Sequence, residues 1–584
     1  MTPCTLKKDL FDVQKESPPE SARYFIPIDH LNSLVIQPKV ETALKNVYRY
    51  MEEDDAALQQ CLSSIYPQSR RLFAILISGE RRFQEAIEKV AAEGVTDADL
   101  PLCRAYTANK SFLLCKNKHK HCSNVDHQLC GIRVMSEWSQ QSRNDFDRVQ
   151  WAFQAPEFRK ESPEETPHFE FHERVVMPFL EDYELDSEKS RLGGYSQVWP
   201  VQIHRAHQNL IDTKDPEGPY LAIKRLTSRD KNQFNRETKF LEKLSQRNNP
   251  HLMKLLATYK FKNQYHLVFP YAKENLREYW ESVDIPYWNK ETTFWFLREL
   301  CGLVAALNVI HNFDLGGSAA VADETGNPTL ERFSRSRNVK LSVEEREKKY
   351  GRHGDLKPEN ILRSEGPQGS KNAGLLQITD FGLGRFHRFE SRSMQDPKNI
   401  SGSPSYAPPE VALGKPVSRA YDIWSLGCIF LEFITWLLEG SQGLNEFSAA
   451  RMLVGEDGVE DDVYFTLITP TDPPNSRPKA VVREGVLNWI VRLRENPRRS
   501  KMSHAFLDLI EQSMLKVDSS RRISAERLVE KMKRMLYEGE NKAGYLLGSN
   551  ETVIDATSGM KPPGAQVTRD SKVRFNVPPD SFER

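Results

Sequence analysis

The middle of the chain contains four short polar motifs in a fixed order. They are His353-Gly-Asp-Leu-Lys-Pro-Glu-Asn360, Asp380-Phe-Gly382, Gly402-Ser-Pro-Ser-Tyr-Ala-Pro-Pro-Glu410 and Asp422-Ile-Trp-Ser-Leu-Gly427. Any one of these runs is weak evidence, because a tripeptide such as Asp-Phe-Gly often arises by chance. Four of them in order, at compatible spacing, are strong evidence that the runs belong to one related series.

Length and composition limit what surrounds this domain. With 584 residues, the chain is too long to fold around a single hydrophobic core, and two or three domains are expected. Hydrophobic residues make up 39% of the chain and aromatic residues 10%, which is enough to build such cores. The 81 Lys and Arg residues balance the 81 Asp and Glu residues. This balance gives no electrostatic reason for a nucleic-acid or anionic-membrane partner, and we expect neither.

Three further observations predict the compartment. No apolar run approaches eighteen residues, so no transmembrane segment is expected. The charged stretch 1–14 lacks the apolar centre of a secretory signal. Eight cysteines are too few for a disulfide scaffold and favour a reducing compartment. We therefore expect a cytoplasmic or nuclear protein that is not secreted.

The local pattern predicts an α+β chain with several parts. Apolar positions 40, 43, 44 and 47 fall on one helical face, short β runs begin near His168, and long helices begin near Trp288. The expected divisions are a flexible tail (1–23), an α-helical N-terminal domain (24–102), an irregular linker containing Cys and His (103–167), a two-lobed domain (168–537) with insertions near 314–350 and 440–479, and a disordered C-terminal tail (538–584).

The motif series resembles the catalytic core of eukaryotic protein kinases of the Ser/Thr class, over roughly residues 169–537. The resemblance implies an α+β, bilobal fold, with a small β-rich N-lobe and a larger α-helical C-lobe, here preceded by a small α-helical domain. It also implies ATP and Mg²⁺ as cofactors and protein substrates that carry Ser or Thr. Lysine at position 357 is characteristic of kinases that act on Ser/Thr.

The resemblance assigns roles residue by residue. Asp355 would orient the substrate hydroxyl and accept its proton, and Lys357 would neutralise the transferred phosphoryl group. Asn360 and Asp380 would hold Mg²⁺, a hard cation that prefers oxygen ligands. The expected ATP-binding residues are Gly193, Gly194, Val198, Ala222, Lys224, Glu237, Phe269, Pro270, Ala272 and Leu362. Structural roles would fall to His353, Phe381, Glu410, Asp422 and Arg522, with Glu410 and Arg522 as an ion pair.

Within the ATP-binding set, Lys224 would clamp the phosphates and pair with Glu237 on the following helix. Phe269 would close the back of the adenine pocket, and the backbone of Ala272 would bind the adenine edge. Pro270 lies between them, at a position where only the backbone carbonyl is needed, so the missing N–H of proline is harmless. The alternatives are an ordinary strand end for Lys224, an exposed helical residue for Glu237 and an edge strand for the 266–272 segment.

Two departures from the family pattern concern the phosphate loop and the catalytic loop. Aligned on Val198, the loop keeps the second of three glycines as Gly193, with Arg191 and Ser196 at the other two positions. Alternatively, Gly193 is the first glycine and the loop is two residues shorter. In the catalytic loop, Gly354 replaces an arginine that couples many kinases to a phosphorylated activation segment. We therefore expect no such coupling here.

Other regions leave alternatives open. Cys115, Cys122 and Cys130, with His119, His121 and His127 nearby, could bind structural zinc or form a basic surface loop. The insertion at 314–350 is a docking element or a solvated loop. The arrangement as a whole also resembles kinase-like chains of filamentous fungi, which share Gln150-Trp151, Pro156-x-Phe158 and the His353-Gly-Asp motif.

The sequence therefore favours a protein Ser/Thr kinase of intracellular signalling. The first alternative is a pseudokinase or scaffold module with weak or no catalysis, favoured by the degenerate phosphate loop. A further alternative makes the N-terminal helical region the main functional unit, in oligomerisation or sensing. The sequence identifies no partner for that region.

Overall fold

The computed structural model describes residues 5–106, 111–116, 131–193, 196–313, 351–364, 374–380, 404–454, 460–468 and 478–548. They form three large hydrophobic cores, in an N-terminal module, a sheet-rich N-lobe and a helical C-lobe, and the C-lobe core also includes residues of the N-lobe such as Phe234 and Leu267. This is the mixed, bilobal architecture that the sequence predicts. A small fourth cluster consists of Phe25, Ala155 and Val176.

The N-terminal module extends further in both directions than the sequence predicts. A helix already forms at Thr5–Asp12, where Leu6 and Leu10 are buried although flanking lysines gave this stretch the composition of a tail. The predicted linker also contributes, because Phe112, Phe146 and Phe153 pack into the same core. The helices of the module are α1 (Thr5–Asp12), α2 (Ile28–Leu34), α3 (Gln37–Val47), α4 (Asp55–Ile65), α5 (Arg70–Ser78), α6 (Arg81–Gln84), α7 (Ile87–Ala92), α8 (Arg133–Ser136) and α9 (Gln140–Val149), and the strands are β1 (Lys15–Glu16), β2 (Tyr24–Phe25), β3 (Cys103–Tyr106) and β4 (Phe112–Cys115).

Gln150 explains why the module continues past residue 102. Its side chain is fully buried, and its Oε1 accepts a hydrogen bond from Leu102 N at 2.8 Å, while its Nε2 donates to Leu102 O at 3.1 Å. One amide therefore satisfies both backbone groups of a buried chain segment. Trp151, the next residue, packs into the core of the N-lobe and joins the two units.

The N-lobe is built on a seven-stranded sheet. Six of its strands follow the order β5-β10-β11-β9-β8-β6, and the seventh strand, β7, pairs with β8. β5 runs parallel to β10, and the other pairs are antiparallel. Helix α10 (Lys231–Ser245) packs against this lobe through Phe234, Leu241 and Leu244. The strands are β5 (His168–Glu170), β6 (Phe179–Asp182), β7 (Arg191–Gly193), β8 (Ser196–Ile203), β9 (Tyr220–Leu226), β10 (Ala257–Phe261) and β11 (Gln264–Pro270).

The C-lobe is organised around a helix that is buried along most of its length, α14 (Ala420–Arg451), with Trp424 and Trp436 fully enclosed. The other helices are α11 (Leu276–Ser282), α12 (Lys290–His311), α13 (Pro409–Ala412), α15 (Glu484–Glu495), α16 (Lys501–Leu509) and α17 (Ala525–Asn541), and the strands are β12 (Glu274–Asn275), β13 (Ile361–Ser364), β14 (Leu375–Ile378), β15 (Leu453–Val454), β16 (Glu460–Asp461), β17 (Phe465–Ile468) and β18 (Lys479–Val482). A three-stranded sheet, β12-β13-β14, packs against helices α11 and α12.

Two predicted boundaries in the C-lobe differ from the structure. The stretch 440–479 is not simply irregular, because α14 continues through it to Arg451 after a bend at Gly440, whose φ of 76° suits glycine. Two short hairpins then follow, β15/β16 and β17/β18. At the other end, α17 runs to Asn541, and Tyr545 and Leu546 are buried, so the ordered chain passes the expected boundary at 538.

Two helices, α12 and α14, are long and apolar enough to cross a membrane by length and composition. Their most apolar windows are 67% and 94% buried inside the protein. In the described part of the chain both helices act as core helices of the C-lobe.

Candidate active site

Asp422, at the start of the long buried helix, anchors the loop that carries most of the predicted catalytic residues. Its carboxylate is fully buried and accepts hydrogen bonds from His353 N at 2.8 Å, Gly354 N at 2.7 Å and His311 Nε2 at 2.8 Å. Burial alone would raise the pKa of Asp422, but the hydrogen bond and charge of His311 hold it below its usual value. The loop backbone is thereby tied to a rigid element.

Gly354 occupies a backbone conformation that explains its residue type. Its φ of 76° lies in the left-handed region, which glycine adopts without steric penalty. The adjacent His353 ties the same loop to the end of β14, with Nε2 2.9 Å from Thr379 O. The two residues therefore fix the loop between α14 and the strand that precedes Asp380.

Within the loop, Asn360 holds Asp355. The Asn360 Nδ2 donates to Asp355 O at 2.7 Å and to Asp355 Oδ2 at 3.2 Å. Lys357 Nζ lies 3.6 Å from the same Oδ2, and both side chains are about a quarter exposed. The structure thus brings together the carboxylate, amide and ammonium that the sequence predicts for one site.

Lys224 pairs with a different residue from the one that the sequence predicts. Its Nζ donates to Asp380 Oδ1 at 2.8 Å, whereas Glu237 makes no ion pair with it in the described part of the chain. Lys224 holds the pKa of Asp380 below its usual value. The two motifs that lie 156 residues apart therefore meet across the cleft between the lobes, and the predicted Lys224–Glu237 pair is wrong for this structure.

Glu237 lies on α10 with only 2% of its surface exposed. Its Oε1 has no hydrogen-bond partner among the described residues. Burial raises the pKa of Glu237 to about 7, against a smaller lowering by Lys224. The charge of Lys224 therefore acts on the Glu237 carboxyl, but the two side chains form no ion pair among the described residues.

The register of the N-lobe sheet places four predicted nucleotide residues, Val198, Ala222, Lys224 and Phe269, on one face, whereas Pro270 lies opposite Leu221 on the other face. Val198 lies opposite Lys224, and Ala222 lies opposite Phe269. Directly opposed residues, and those two apart on a strand, share a face. Leu362 lies on β13 of the C-lobe, and Ala272 follows the end of β11. Sheet and C-lobe therefore contribute residues to the same cleft.

The strand register also decides between the two alignments of the phosphate loop. Arg191 pairs with Val198 and Gly193 with Ser196. This is the arrangement aligned on Val198, with Arg191 and Ser196 at the first and third glycine positions. Gly194 and Phe381 lie outside the described residues, as do the 314–350 insertion and the possible zinc ligands other than Cys115.

A family model described as "Protein kinase domain" matches residues 348–532, about a third of the chain. Because of this similarity and the bilobal fold, the two-lobed unit is called the kinase domain. Its curated relatives include the probable serine/threonine-protein kinase PknB of Corynebacterium glutamicum, which is 30% identical over 21% of this chain and 18% of its own length. The mitogen-activated protein kinase HOG1 of Ustilaginoidea virens is 32% identical over 30% of this chain and 42% of its own length. The chain thus spans less than half of either relative.

The kinase domain contains the predicted structural ion pair. Arg522 donates from Nη1 to Glu410 Oε1 at 2.7 Å and from Nη2 to Glu410 Oε2 at 2.6 Å, and both side chains are buried. This two-pronged contact joins the end of the 402–410 motif to the helical base of the C-lobe.

A second buried network of the kinase domain was not predicted. Glu432 on α14 accepts from Tyr406 OH at 2.9 Å and from Arg451 Nη2 at 2.9 Å, and Arg451 Nη2 also lies 3.1 Å from Asp462. Ser405 Oγ donates to Asp462 Oδ1 at 2.5 Å. Nothing in the local sequence marks these partners, because they come from three separate segments: residues 405–406, helix α14 and Asp462. The network fastens residues 405–406 to α14 and to Asp462.

Proposed function

We propose that the chain is a protein Ser/Thr kinase that transfers the γ-phosphoryl group of MgATP to protein hydroxyls in intracellular signalling. The observation that carries the proposal is the joint placement of Asp355, Lys357 and Asn360 in one anchored loop, opposite Lys224 and Asp380. This set supplies a carboxylate for the attacking hydroxyl and cations for the phosphates.

Each residue has a distinct task in this proposal. Asp355, positioned by Asn360, orients the substrate hydroxyl and takes its proton. Lys357 balances charge on the transferred group, and its identity supports Ser/Thr substrates. Lys224 binds the ATP phosphates. These steps require only groups that the loop and the sheet already hold in place.

The oxygen ligands present fit Mg²⁺. Asn360 uses its Nδ2 to hold Asp355, which leaves its side-chain carbonyl oxygen available, and Asp380 is a carboxylate with a lowered pKa. Oxygen ligands of this kind suit a hard divalent cation. When bound, Mg²⁺ would neutralise phosphate charge.

The alternative is a nucleotide-binding scaffold with weak or no catalysis. It is favoured by Arg191 and Ser196 at two glycine positions and by the engagement of Lys224 with Asp380 instead of Glu237. A scaffold would keep the fold and bind protein partners without efficient transfer.

Phosphate incorporation from labelled MgATP into Ser/Thr protein substrates separates the two. We expect wild type to be active and Asp355→Asn and Lys224→Met to lose at least about 100-fold, since both act on the reacting groups. The two variants should keep the wild-type melting temperature to within a few degrees. Equal incorporation by all three proteins would refute the kinase proposal, and nucleotide binding without transfer would support the scaffold.

A further inference from the structure

Glu278 uses its two carboxylate oxygens for different purposes. It stands in the first turn of α11, where Oε2 accepts from Asn275 N at 2.9 Å and Asn275 Oδ1 accepts from Glu278 N at 3.0 Å. This reciprocal capping box fixes the side chain. Helix α11 packs on the Pro358–Asn360 turn and on α14, so Glu278 belongs to the C-lobe.

The second oxygen of Glu278 reaches across to the N-lobe. Arg191 Nη2, from strand β7, donates to Glu278 Oε1. Arg191 lies opposite Val198 of β8, on the strand that leads into the phosphate loop. The contact therefore connects the root of that loop directly to the C-lobe.

We infer that Arg191 and Glu278 form an electrostatic tie between the lobes, which positions the β7–β8 hairpin over the bound nucleotide. The inference rests on the proposed function. A loop with glycine at three positions can follow the phosphates with its backbone. This loop lacks two of those glycines, and the tie holds it in place from the side. Arg191 and Glu278 are positioning residues.

The size of the effect follows from exposure. The Arg191 side chain is 56% exposed and that of Glu278 34%. Exposed pairs are weak, but Glu278 is already ordered by its cap, so little side-chain entropy is lost when it pairs. We expect the tie to change nucleotide affinity by about two- to fivefold.

The test compares wild type with Arg191→Gly, Glu278→Gln and the double variant. Gln at position 278 can still complete the capping box while it removes the charge. We expect each single change to raise the Kd and KM for MgATP two- to fivefold with kcat unchanged. The double variant should be no worse than either single one. The difference should shrink between 0.05 and 0.5 M NaCl, because salt screens exposed charges.

Arg191→Gly also restores the glycine of the family pattern, so it separates two explanations. Tighter MgATP binding by this variant would overturn the tie and show that the missing glycine limits the loop. Arg191→Lys should keep most of the wild-type affinity. Glu281→Gln, an exposed carboxylate on the same helix, is the matched control and should leave the Kd unchanged.

Hydrogen exchange without nucleotide keeps this inference separate from the proposed function. Amides of β7 and β8 should exchange faster in Arg191→Gly and Glu278→Gln than in wild type. If wild type binds no MgATP, the proposed function fails, and the hydrogen-exchange result alone decides whether Arg191 and Glu278 tie the lobes together. If wild type binds MgATP and both variants match it in affinity and exchange, the tie is refuted.

Discussion

The acid–base state of Glu237 illustrates how one buried residue responds to its surroundings. A carboxyl whose folded pKa is about 7, against an ordinary value of 4.5, is neutral below that range and charged above it. Because the charged form is buried without a hydrogen bond, stability is present at low pH and is lost as pH rises from 4.5 to 7. Pairing with Lys224 would remove the penalty.

Glu237→Gln should therefore stabilise the nucleotide-free protein at pH 8 by about 2–3 kcal/mol and change it little at pH 5. Urea unfolding at the two pH values measures this difference. The exposed Glu530→Gln on α17 is the control and should show no such pH dependence. An equal effect of Glu237→Gln at both pH values would contradict the buried, unpaired state of the carboxyl.

At the scale of elements, buried ion pairs hold segments that have little regular structure of their own. The helix that contains Glu410 has only four residues, and its carboxylate binds Arg522, which follows a short turn near the end of the domain. Removing one partner of such a pair leaves a buried charge uncompensated, and this costs more than the pair contributes.

Arg522→Ala is expected to lower the free energy of unfolding by about 3–5 kcal/mol. The neighbouring Arg521 is 79% exposed and lies 3.6 Å from Asp518, so Arg521→Ala should cost no more than about 0.5 kcal/mol. Denaturant unfolding of both variants gives the comparison. Similar losses for the two would show that the Glu410 contact does not stabilise the C-lobe.

At the scale of the whole molecule, the N-terminal module and the N-lobe share buried polar contacts. Asp147 on α9 is 2% exposed; it pairs with Arg104 of the module and with Arg174 of the N-lobe, 2.7 Å from Arg174 Nη1. Ser17 Oγ donates to Met177 O at 2.6 Å, and His207 Nε2 accepts from Ile28 N at 3.0 Å. Phe25 is fully buried against the two histidines His204 and His207. The module is therefore integrated with the kinase domain.

Asp147→Asn keeps the size of the side chain but removes the charge that both arginines share. We expect a loss of about 2–3 kcal/mol and faster proteolysis within the module and β5–β6. Asp145→Asn, two residues away on the same helix, affects a surface pair with Arg148 and an exposed hydrogen bond from Gln141, and it serves as the control. Unchanged proteolysis in Asp147→Asn would show that this carboxylate does not join the two units.

The sequence alone predicted the bilobal class, because the order of the motifs and the strand and helix periodicity can be read directly from the chain, and through the family resemblance it predicted which residue types would form the proposed site. It also predicted the Glu410–Arg522 pair through the family resemblance. Only the tertiary structure decided the partner of Lys224, the alignment of the phosphate loop, the Arg191–Glu278 contact and the true extent of the N-terminal module. These features depend on how distant segments pack. Which of several nearby partners a charged side chain pairs with is set by tertiary contacts, and amphipathic stretches such as 5–12 become ordered only when another surface covers them.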